Sequence, residues 1–266
     1  MSVRRSPHLN VMVDAAEKAG RSLIRDFGEV ENLQVSRKGP GDFVSNADHK
    51  AEKIVREILE KGRPNYSFLL EEGGEVKGSD GEHRFIVDPL DGTTNFLHGI
   101  PHWCVAIALE RNNEIIAGVV HDPIKNETFW AEKGLGAMMN NRRIQVSARK
   151  NLADSVITAG IFPETQNAVD ALLKLGAGVR SYGSACLDLC YVATGRFDAY
   201  FENGLKPWDK AAGALIVREA RGIATELKGG SNVVFGNGIL AANASLHGDL
   251  LRAISGSAVK AAAAAQ

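Results

Sequence analysis

The segment FIVDPLDGTTNF, residues 85–96, joins a short apolar run to two aspartates and a turn. The apolar run predicts a buried strand that ends at Asp88, because Pro89 has no N–H with which to continue a sheet. The turn after this strand holds Asp88 and Asp91 on one loop and can point the carbonyl of Leu90 inward. Carboxylate and carbonyl oxygens are the ligands that a hard divalent cation such as Mg²⁺ prefers. The segment therefore indicates a cation site at the end of a strand.

Glycine and threonine follow the two aspartates. Gly92 allows the backbone to approach a ligand closely, and the amides from Gly92 to Thr94 would donate to a phosphate if a helix began there. Taken alone, an Asp-x-x-Asp-Gly pattern is more typical of a solvated turn or a helix cap than of a site. The rest of the chain has to decide between these interpretations.

Three other segments bring acidic residues to the ends of predicted elements. The apolar run Phe68–Leu70 predicts a second strand, and Glu71 follows it directly. Asp209 lies in the first turn of a predicted helix, where the helix N-terminus tolerates negative charge. Asp48 lies in the first turn of another helix, which is expected from about Asn46. Several elements therefore present a carboxylate at one end, which favours a site over a solvated turn.

Helical and strand patterns alternate along the chain in a way that predicts a layered α/β fold. Helices are expected from Pro7, capped by Ser6, from Asn46, and near 164–175, 185–194 and 208–219. Strands are expected at 67–70, 85–87, 103–109, 115–120, 127–131, 196–201, 221–227 and 239–242, and a loop at 37–42. We expect an α+β layered sandwich of the αβαβα type, with two fused subdomains, 1–140 and 141–266, and the active site between them.

Five motifs in this order resemble the inositol monophosphatase family, within a wider group of lithium-sensitive, magnesium-dependent phosphatases. The segment from Asp88 to Phe96 is similar to the family's principal signature. The segment from Trp208 to Gly213, followed by Glu219-Ala220, is similar to its second. The other three are Asp42–Asp48, Glu71-Glu72 and Gly183–Ala185. The resemblance covers roughly residues 8 to 250, and five ordered motifs make chance agreement very improbable.

The resemblance implies a role for individual residues. The metal ligands would be Glu71, Asp88, the carbonyl of Leu90, Asp91 and Asp209, which would hold up to three Mg²⁺. Catalysis would involve Asp48, Thr93 and Glu71, with Asp48 and Thr93 orienting and activating the attacking water. The substrate would contact Leu90, Asp91, Gly92, Thr93, Gly183, Ser184, Ala185, Glu202 and Asp209. Residues 1–140 would carry most of the metal ligands and residues 141–266 would carry Asp209 and the substrate side, within one inositol monophosphatase-like unit that forms a homodimer.

Two positions depart from the pattern of the family. Gly73 follows the paired glutamates where the family commonly has serine, which would loosen the loop without removing a metal ligand. The loop from Lys38 to Asp42 is about one residue shorter than in well-known members. In the family this loop folds over the site and contacts a third metal ion. The shorter loop puts that contact in doubt here.

The residues favour direct, in-line attack by water on a phosphate monoester. Such an ester is already negatively charged, so the attacking water is repelled and the alkoxide is a poor leaving group. Cations held by carboxylates offset both problems. The Thr93 hydroxyl can accept a proton from water and donate to Asp48. A covalent route would need an activated serine, cysteine or histidine, and no pattern in the sequence supplies one.

The leading hypothesis for function is Mg²⁺-dependent hydrolysis of myo-inositol monophosphate to inositol and phosphate. Relatives with the same kind of metal cluster act on histidinol phosphate, nucleotide 3′-phosphates, NADP or fructose bisphosphate, and the cluster cannot separate these substrates. Glu202 favours hydroxyl-rich sugars or cyclitols, and short segments around 28–42 and 160–176 leave little chain for an adenine pocket. A hypothesis of another class is a regulatory role, since some bacterial relatives bind the transcription machinery.

The composition of the chain limits which classes of partner and which cellular compartment are expected. The chain has 266 residues, of which 44% are hydrophobic and 24% charged, as in ordinary globular proteins with a sizeable core. A net charge of −1 without a basic cluster argues against nucleic acid as a partner. The sequence shows neither a leader pattern nor a long apolar run, so membrane association is not expected. We expect a cytoplasmic protein with a small phosphate monoester as its partner. Cys104, Cys186 and Cys190 lack zinc-site spacing and are interpreted as buried free thiols.

Overall fold

The computed structural model describes residues 4–29, 35–39, 42–162 and 165–264. The helices of this part of the chain are α1 (Pro7–Phe27), α2 (Asn46–Gly62), α3 (Thr93–Leu97), α4 (Gln166–Lys174), α5 (Ala185–Ala193), α6 (Pro207–Glu219) and α7 (Ala244–Ala264). The strands are β1 (Val35–Gly39), β2 (Asp42–Ser45), β3 (Ser67–Leu70), β4 (Gly74–Val76), β5 (His83–Asp91), β6 (Cys104–Arg111), β7 (Glu114–Asp122), β8 (Glu127–Glu132), β9 (Gly136–Met139), β10 (Arg142–Arg143), β11 (Val156–Ala159), β12 (Gly178–Arg180), β13 (Ala199–Asn203), β14 (Ile223–Thr225) and β15 (Gly238–Ala242).

Most strands belong to one of two sheets. The large sheet has the order β10-β9-β8-β7-β6-β5-β3-β4, and the small sheet has the order β12-β11-β13-β15-β14. Neighbours in the large sheet are antiparallel except β3 and β5, which run parallel. Strands β1 and β2 form a separate antiparallel hairpin. The parallel pair matters for function, because it brings the carboxyl ends of β3 and β5 to the same edge.

Helix α1 begins where the sequence predicts it. The Ser6 hydroxyl accepts a hydrogen bond from the Leu9 N–H at 3.3 Å, and Pro7 occupies the first helical position, where its missing N–H has no partner to lose. One face of α1 is apolar, and Met12 and Leu23 on that face are fully buried. The helix packs against α2, β6 and β7. The prediction of an amphipathic first helix is confirmed.

Three clusters of buried side chains define the order of the layers. One cluster joins α1 and α2 to the outer face of the large sheet. A second joins α5 and α6 to the inner faces of both sheets, and a third joins α4 and α7 to the outer face of the small sheet. The layers are therefore α1/α2, large sheet, α5/α6, small sheet and α4/α7. This arrangement confirms the predicted αβαβα sandwich.

Alternation along the strands explains how the middle helices come close to the large sheet. On β6, Val105 faces α1 and α2, while its neighbour Ala106 faces α5 and α6. On β7, a Cβ at Gly118 would lie only 3.0 Å from the Ala212 carbonyl of α6. Small residues on the inner face thus admit α6 to the sheet surface. Helix α6 also contacts β5 and β6 of the same sheet.

The structure corrects the prediction that the strand ends at Asp88. Strand β5 continues through Pro89 to Asp91, but its register with β6 shifts between the two aspartates. Asp88 pairs with Ala106 and Asp91 with Cys104, so three steps along β5 match two along β6. This is a β-bulge of one extra residue. Pro89 is accommodated because it lies where the ladder is interrupted and no N–H is required.

Other predictions of local structure were incomplete. The expected loop at 37–42 is wrong for its described residues, which belong to the hairpin of β1 and β2; Pro40 and Gly41 lie outside the described residues. Strands β4, β9, β10, β11 and β12, each of two to four residues, were not predicted. The division into subdomains 1–140 and 141–266 stays a prediction, since the α5/α6 layer packs on both sheets. Among the described residues, no helix is long and apolar enough to span a bilayer.

Candidate active site

The bulge in β5 places two carboxylates and a carbonyl at one edge of the large sheet. Asp88 is buried, and its Oδ1 accepts a hydrogen bond from the Leu90 N–H at 3.0 Å. The Leu90 carbonyl in turn accepts from the Thr93 hydroxyl at 3.0 Å. Gly92 follows with φ 94°, a left-handed conformation that glycine adopts without strain, and a Cβ there would lie 3.0 Å from the His102 carbonyl. Helix α3 begins at the next residue.

Neighbouring elements add two more carboxylates to this edge. Glu71 follows β3, and its N–H donates to the Val87 carbonyl of β5 at 3.2 Å, which sets it beside Asp88. Asp209 is the third residue of α6, and its Oδ2 accepts from the Lys206 N–H at 2.6 Å. Each acid is thus positioned by main-chain hydrogen bonds at the end of a strand or helix.

Asp91 is held from behind by the start of α5. Its Oδ2 accepts hydrogen bonds from the Ser184 hydroxyl at 2.5 Å and from the Cys186 N–H at 2.8 Å. The Cys104 thiol also points at this oxygen, with sulfur 3.6 Å away. Burial raises the pKa of the Cys104 thiol to about 11, so the thiol is protonated and acts as a donor. The burial of these free cysteines confirms the prediction for them.

A cleft with a volume of about 400 Å³ collects most of the predicted site residues. Its walls include Glu71, Asp88, Leu90, Asp91, Gly92, Thr93, Gly183, Ala185, Glu202 and Asp209. Ser184 is buried against Asp91 and does not line the cleft. Asp48 is also buried, in the first turn of α2, and it reaches the cleft through the Thr93 hydroxyl, 3.4 Å from its Oδ1. Another cavity, of about 250 Å³ at the far end of α6, contains none of the predicted site residues.

Sequence reasoning missed several residues that shape the cleft. Phe162 and Leu205 line it, although no motif singled them out. The Asn95 amide donates to the His102 carbonyl at 2.9 Å and to the Tyr182 carbonyl at 2.7 Å. It therefore ties α3 to the loop before α5. An amide side chain three residues after Gly92 was the available signal for this role.

Burial, reinforced by mutual repulsion, raises the pKa values of the clustered aspartates. Burial raises the pKa of Asp88 well above its ordinary value, and the negative charges of Glu71, Asp91 and Asp209 raise it further. The pKa of Asp209 is raised to about 8, first by burial and then by Asp91. Burial also raises the pKa of Asp91, although its hydrogen-bond donors oppose this shift. Without a cation, the protein can hold these carboxylates together only by keeping some of them protonated.

The donor set fits hard divalent cations. The four carboxylates of the cluster and Leu90, whose carbonyl is the fifth donor, border a cleft that Glu202 also lines, and no lysine or arginine is found among the described residues that line it. All five donors are oxygen, the ligand type of Mg²⁺, and the charge excess calls for a cation. These two observations make the cleft a candidate metal centre.

Glu202, on β13, also lines the cleft. Its Oε2 accepts a hydrogen bond from the Tyr200 hydroxyl at 2.7 Å. Burial raises the pKa of Glu202 to about 7, although the Tyr200 hydrogen bond opposes the rise. A Cβ at Gly160 would lie 2.3 Å from the Glu202 carboxyl carbon, so glycine at this position makes room for the carboxylate.

Comparison with known proteins agrees with this geometry. The chain matches the inositol monophosphatase family over residues 4–258, nearly its whole length. It belongs to the inositol monophosphatase family. Members of this family are metal-dependent, in keeping with the oxygen cluster described above.

Individual relatives of the inositol monophosphatase family carry two kinds of name. Inositol-1-monophosphatase from Rhizobium meliloti (strain 1021) is 55% identical over 247 residues, which are 90% of this chain and 92% of that protein. Nus factor SuhB from Xylella fastidiosa (strain Temecula1 / ATCC 700964) is 45% identical over 232 residues, or 84% and 83% of the two chains. The crystal structure of extragenic suppressor protein suhB from Bartonella henselae superposes with a TM-score of 0.92 at 52% identity, covering 94% of this chain and 98% of that one.

Proposed function

We propose that this protein is a Mg²⁺-dependent phosphoric monoester hydrolase that converts myo-inositol monophosphate to inositol and phosphate by direct attack of water. The observation that carries the proposal is the convergence of four carboxylates and a carbonyl on one cleft. Three relatives named inositol-1-monophosphatase, 50–55% identical to this chain, support it. The chemistry is that of a small phosphate ester, whose charge a cation cluster can neutralise.

The proposed metal ligands are Glu71, Asp88, the Leu90 carbonyl, Asp91 and Asp209. When bound, Mg²⁺ supplies positive charge that acidifies a coordinated water and neutralises the phosphate. The protein contributes the placement of the ligands: main-chain N–H groups fix Asp88, Asp91 and Asp209 before any ion arrives. An ion count of up to three per site is part of this proposal, and isothermal titration with Mg²⁺ would measure it.

Thr93 and Asp48 are proposed to position the attacking water, and Glu71 to assist them. The Thr93 hydroxyl has one proton and two acceptors in reach, the Leu90 carbonyl at 3.0 Å and Asp48 at 3.4 Å. If the Leu90 carbonyl binds a cation, its lone pairs are less available and the hydroxyl turns to Asp48. The oxygen of Thr93 then accepts from the water. In this arrangement the proton of the water passes to Thr93 while the Thr93 hydroxyl proton passes to Asp48, and a lone pair of the water oxygen is left to face the phosphorus.

The remaining walls of the cleft are proposed to bind the two parts of the substrate. The phosphate would accept from main-chain N–H groups at Gly92 and Thr93, where the glycine turn lets the backbone approach. The inositol would lie toward residues 183–185 and Glu202. The Glu202 carboxylate, oriented by Tyr200, can accept hydrogen bonds from ring hydroxyls, which favours a polyhydroxylated alcohol.

Phosphate release from a panel of monoesters tests the proposal. The panel contains myo-inositol 1-phosphate, histidinol phosphate, a nucleotide 3′-phosphate, NADP and fructose bisphosphate, each assayed with Mg²⁺ and with EDTA. We expect the highest kcat/KM for the inositol ester and no turnover in EDTA. Undiminished activity in EDTA would overturn the metal mechanism. A higher kcat/KM for another ester would overturn the substrate but leave the mechanism standing.

A regulatory role is a second candidate, because five relatives named Nus factor SuhB are 38–45% identical to this chain. Co-purification with RNA polymerase from the native host tests it. Wild type and Asp88→Asn should be compared, since loss of a proposed metal ligand removes catalysis without changing the outer surface. Retention of polymerase by both would support a separate regulatory role, and retention by neither would leave phosphatase activity alone.

A homodimer is a further part of the proposal. Exposed apolar side chains near the cleft, Ile161, Phe162 and Tyr182, are 41–49% exposed in the single chain and suit a contact surface. Light scattering after size-exclusion chromatography measures the mass directly. A mass near 57 kDa, twice the 28.5 kDa of one chain, is expected, and a mass of one chain would contradict the dimer.

A further inference from the structure

Two cysteines lie on the side of Asp91 that faces away from the cleft. Among the described residues, a carboxylate oxygen of Asp91 and the sulfurs of Cys104 and Cys186 all lie within 4.8 Å of one another. Both cysteines are fully buried and free. Cys104 is the first residue of β6, and Cys186 is the second residue of α5. These elements pack around Asp91, so the fold itself brings the three groups together.

We propose that Asp91, Cys104 and Cys186 form a second cation site, which takes a thiophilic divalent ion such as Zn²⁺ or Cd²⁺. This site is distinct from the proposed oxygen-ligand cluster, because two of its three donors are sulfur. Sulfur ligands select Zn²⁺ and similar ions over Mg²⁺, whose shell is built from oxygen. Asp91 is the single residue that both sites share.

The separation between the Cys104 sulfur and the Asp91 carboxylate suits a small, tetrahedral ion. The Cys104 sulfur lies 3.6 Å from Asp91 Oδ2. In a tetrahedral zinc site with Zn–S of about 2.3 Å and Zn–O of about 2.1 Å, neighbouring sulfur and oxygen ligands are about 3.6 Å apart. Further oxygens nearby are the Asp209 and Trp208 carbonyls, 3.2 Å and 3.8 Å from the Cys186 sulfur, and the Ser184 hydroxyl, 3.9 Å from the Cys104 sulfur.

Binding of the ion has a defined balance of bonds. Two S–H protons leave to solvent, and two metal–thiolate bonds and one metal–carboxylate bond form. The hydrogen bonds from the Cys104 thiol to Asp91 and from the Cys186 thiol to the Asp209 carbonyl are lost. No oxidant or reductant takes part. Of the three ligands, only Asp91 lines the cleft.

The site would make catalysis sensitive to thiophilic ions, a consequence that rests on the proposed function. Asp91 Oδ2 now accepts from Ser184 and from the Cys186 N–H, which fix the carboxylate. An ion bound between this oxygen and the sulfurs competes with both donors and draws the carboxylate away from the cleft. Thiophilic ions should therefore inhibit at concentrations far below those of Mg²⁺, and excess Mg²⁺ should restore little activity because it has no affinity for the thiols.

The experiment titrates the full-length protein with Cd²⁺ in saturating Mg²⁺. The ultraviolet charge-transfer band of a cadmium–thiolate bond reports binding independently of activity, so failure of the phosphatase proposal would not obscure it. Cys186→Ala and Cys190→Ala are a matched pair: both cysteines are fully buried on α5, one helical turn apart, and Cys190 lies outside the group around Asp91. Cys186→Ser serves as a second variant that retains side-chain size.

We expect one equivalent of Cd²⁺ to produce the band in wild type and in Cys190→Ala. In Cys186→Ala and Cys186→Ser the half-saturating Cd²⁺ concentration should rise at least tenfold, and half-inhibition, relative to the uninhibited rate of each variant, should rise in parallel. A wild-type titration in both Cys186 variants, or the absence of a thiolate band in wild type, would overturn the proposal. Loss of the band in Cys190→Ala with retention in the Cys186 variants would also overturn it.

Discussion

The two walls of the cleft are built in different ways. The carboxylate wall (Glu71, Asp88, Asp91 and Asp209) is held largely by the backbone: N–H groups of Leu90, Cys186 and Lys206 donate directly to the last three acids. On the Glu202 wall (Phe162, Gly183, Glu202 and Leu205), the carboxylate is oriented by a side chain, the Tyr200 hydroxyl. Main-chain positioning survives most substitutions, whereas side-chain positioning is changed by one. The first wall is therefore suited to a fixed chemistry and the second to an adjustable specificity.

The largest effect is expected when the carboxylate wall loses a ligand. Asp88→Asn should lower kcat/KM by about 10³ or more, because charge stabilisation by a metal ion is worth several kcal/mol. In EDTA the same variant should be about 1 kcal/mol more stable than wild type, since one repelling charge is gone. Thermal unfolding in EDTA and in millimolar Mg²⁺, alongside activity, measures both effects. A variant that melts lower in EDTA and still gains stability from Mg²⁺ like wild type would make Asp88 a structural turn residue.

Thr93 tests whether water activation belongs to the carboxylate wall. Thr93→Ala should lower kcat by about 10² with little change in KM, because a group that orients water acts mainly in the transition state. Thr94→Ala is the control, since the neighbouring hydroxyl has no hydrogen bond to Asp48 among the described contacts, and its loss should cost far less. A raised KM with an unchanged kcat would instead make Thr93 a group that binds substrate.

A substitution in the Glu202 wall should change the preference among substrates and leave the Mg²⁺ requirement unchanged. Glu202→Gln should change the ratio of kcat/KM between inositol and other esters by about fivefold, since a charge-assisted hydrogen bond exceeds a neutral one by roughly 1 kcal/mol. The Mg²⁺ concentration for half-maximal activity should stay the same.

Gly160→Ala perturbs the same wall without removing the charge. Its Cβ would displace the Glu202 carboxylate, so the same substrates should be affected and to a smaller extent. Equal loss on every ester in both variants would show that Glu202 does not set specificity.

The smallest expected effect is on the pH dependence of stability, to which Asp209 of the carboxylate wall and Glu202 of the other wall contribute separately. In the folded protein the pKa of Asp209 is about 8 and that of Glu202 about 7, whereas both lie near 4 in the unfolded chain. Between about pH 4 and these values the folded protein therefore binds more protons than the unfolded chain. The metal-free protein should therefore lose stability as pH rises from about 4 to about 8. Saturating Mg²⁺ should remove the Asp209 part of this loss and leave the Glu202 part. Melting curves from pH 5 to 8, with and without Mg²⁺, test this; a metal-free Tm that rises over this range would contradict it.

The positions of the acids were predictable because each follows a strong local signal. Apolar runs before Glu71 and Asp88, and helix starts around Asp48 and Asp209, fix where each carboxylate leaves its element. The family resemblance then supplied their grouping, which local patterns do not contain. The roles assigned to these residues stay predictions until the variants above are measured.

What sequence reasoning missed depends on contacts between distant segments. Cys104 is 13 residues from Asp91 and Cys186 is 95 residues away, and only packing of β6 and α5 brings their sulfurs together. The rule that proline ends a strand applies to a regular ladder, in which each residue needs its N–H. The bulge interrupts the ladder at Pro89, so the strand continues through it. Phe162 lines the cleft from a segment without any regular pattern, where no periodicity marks its direction.

The bulge at Pro89 also determines whether this motif can be transplanted. In a regular strand, residues three apart face opposite sides of the sheet, yet Asp88 and Asp91 both line the cleft. The extra residue of the bulge turns both side chains to the same side of the sheet. Proline fixes the position of the bulge, because it cannot join a regular ladder. A designer who grafted the two aspartates onto an unbroken strand of another protein would send one into the opposite layer. The portable unit is the whole step from Asp88 to Gly92, with its proline and its glycine.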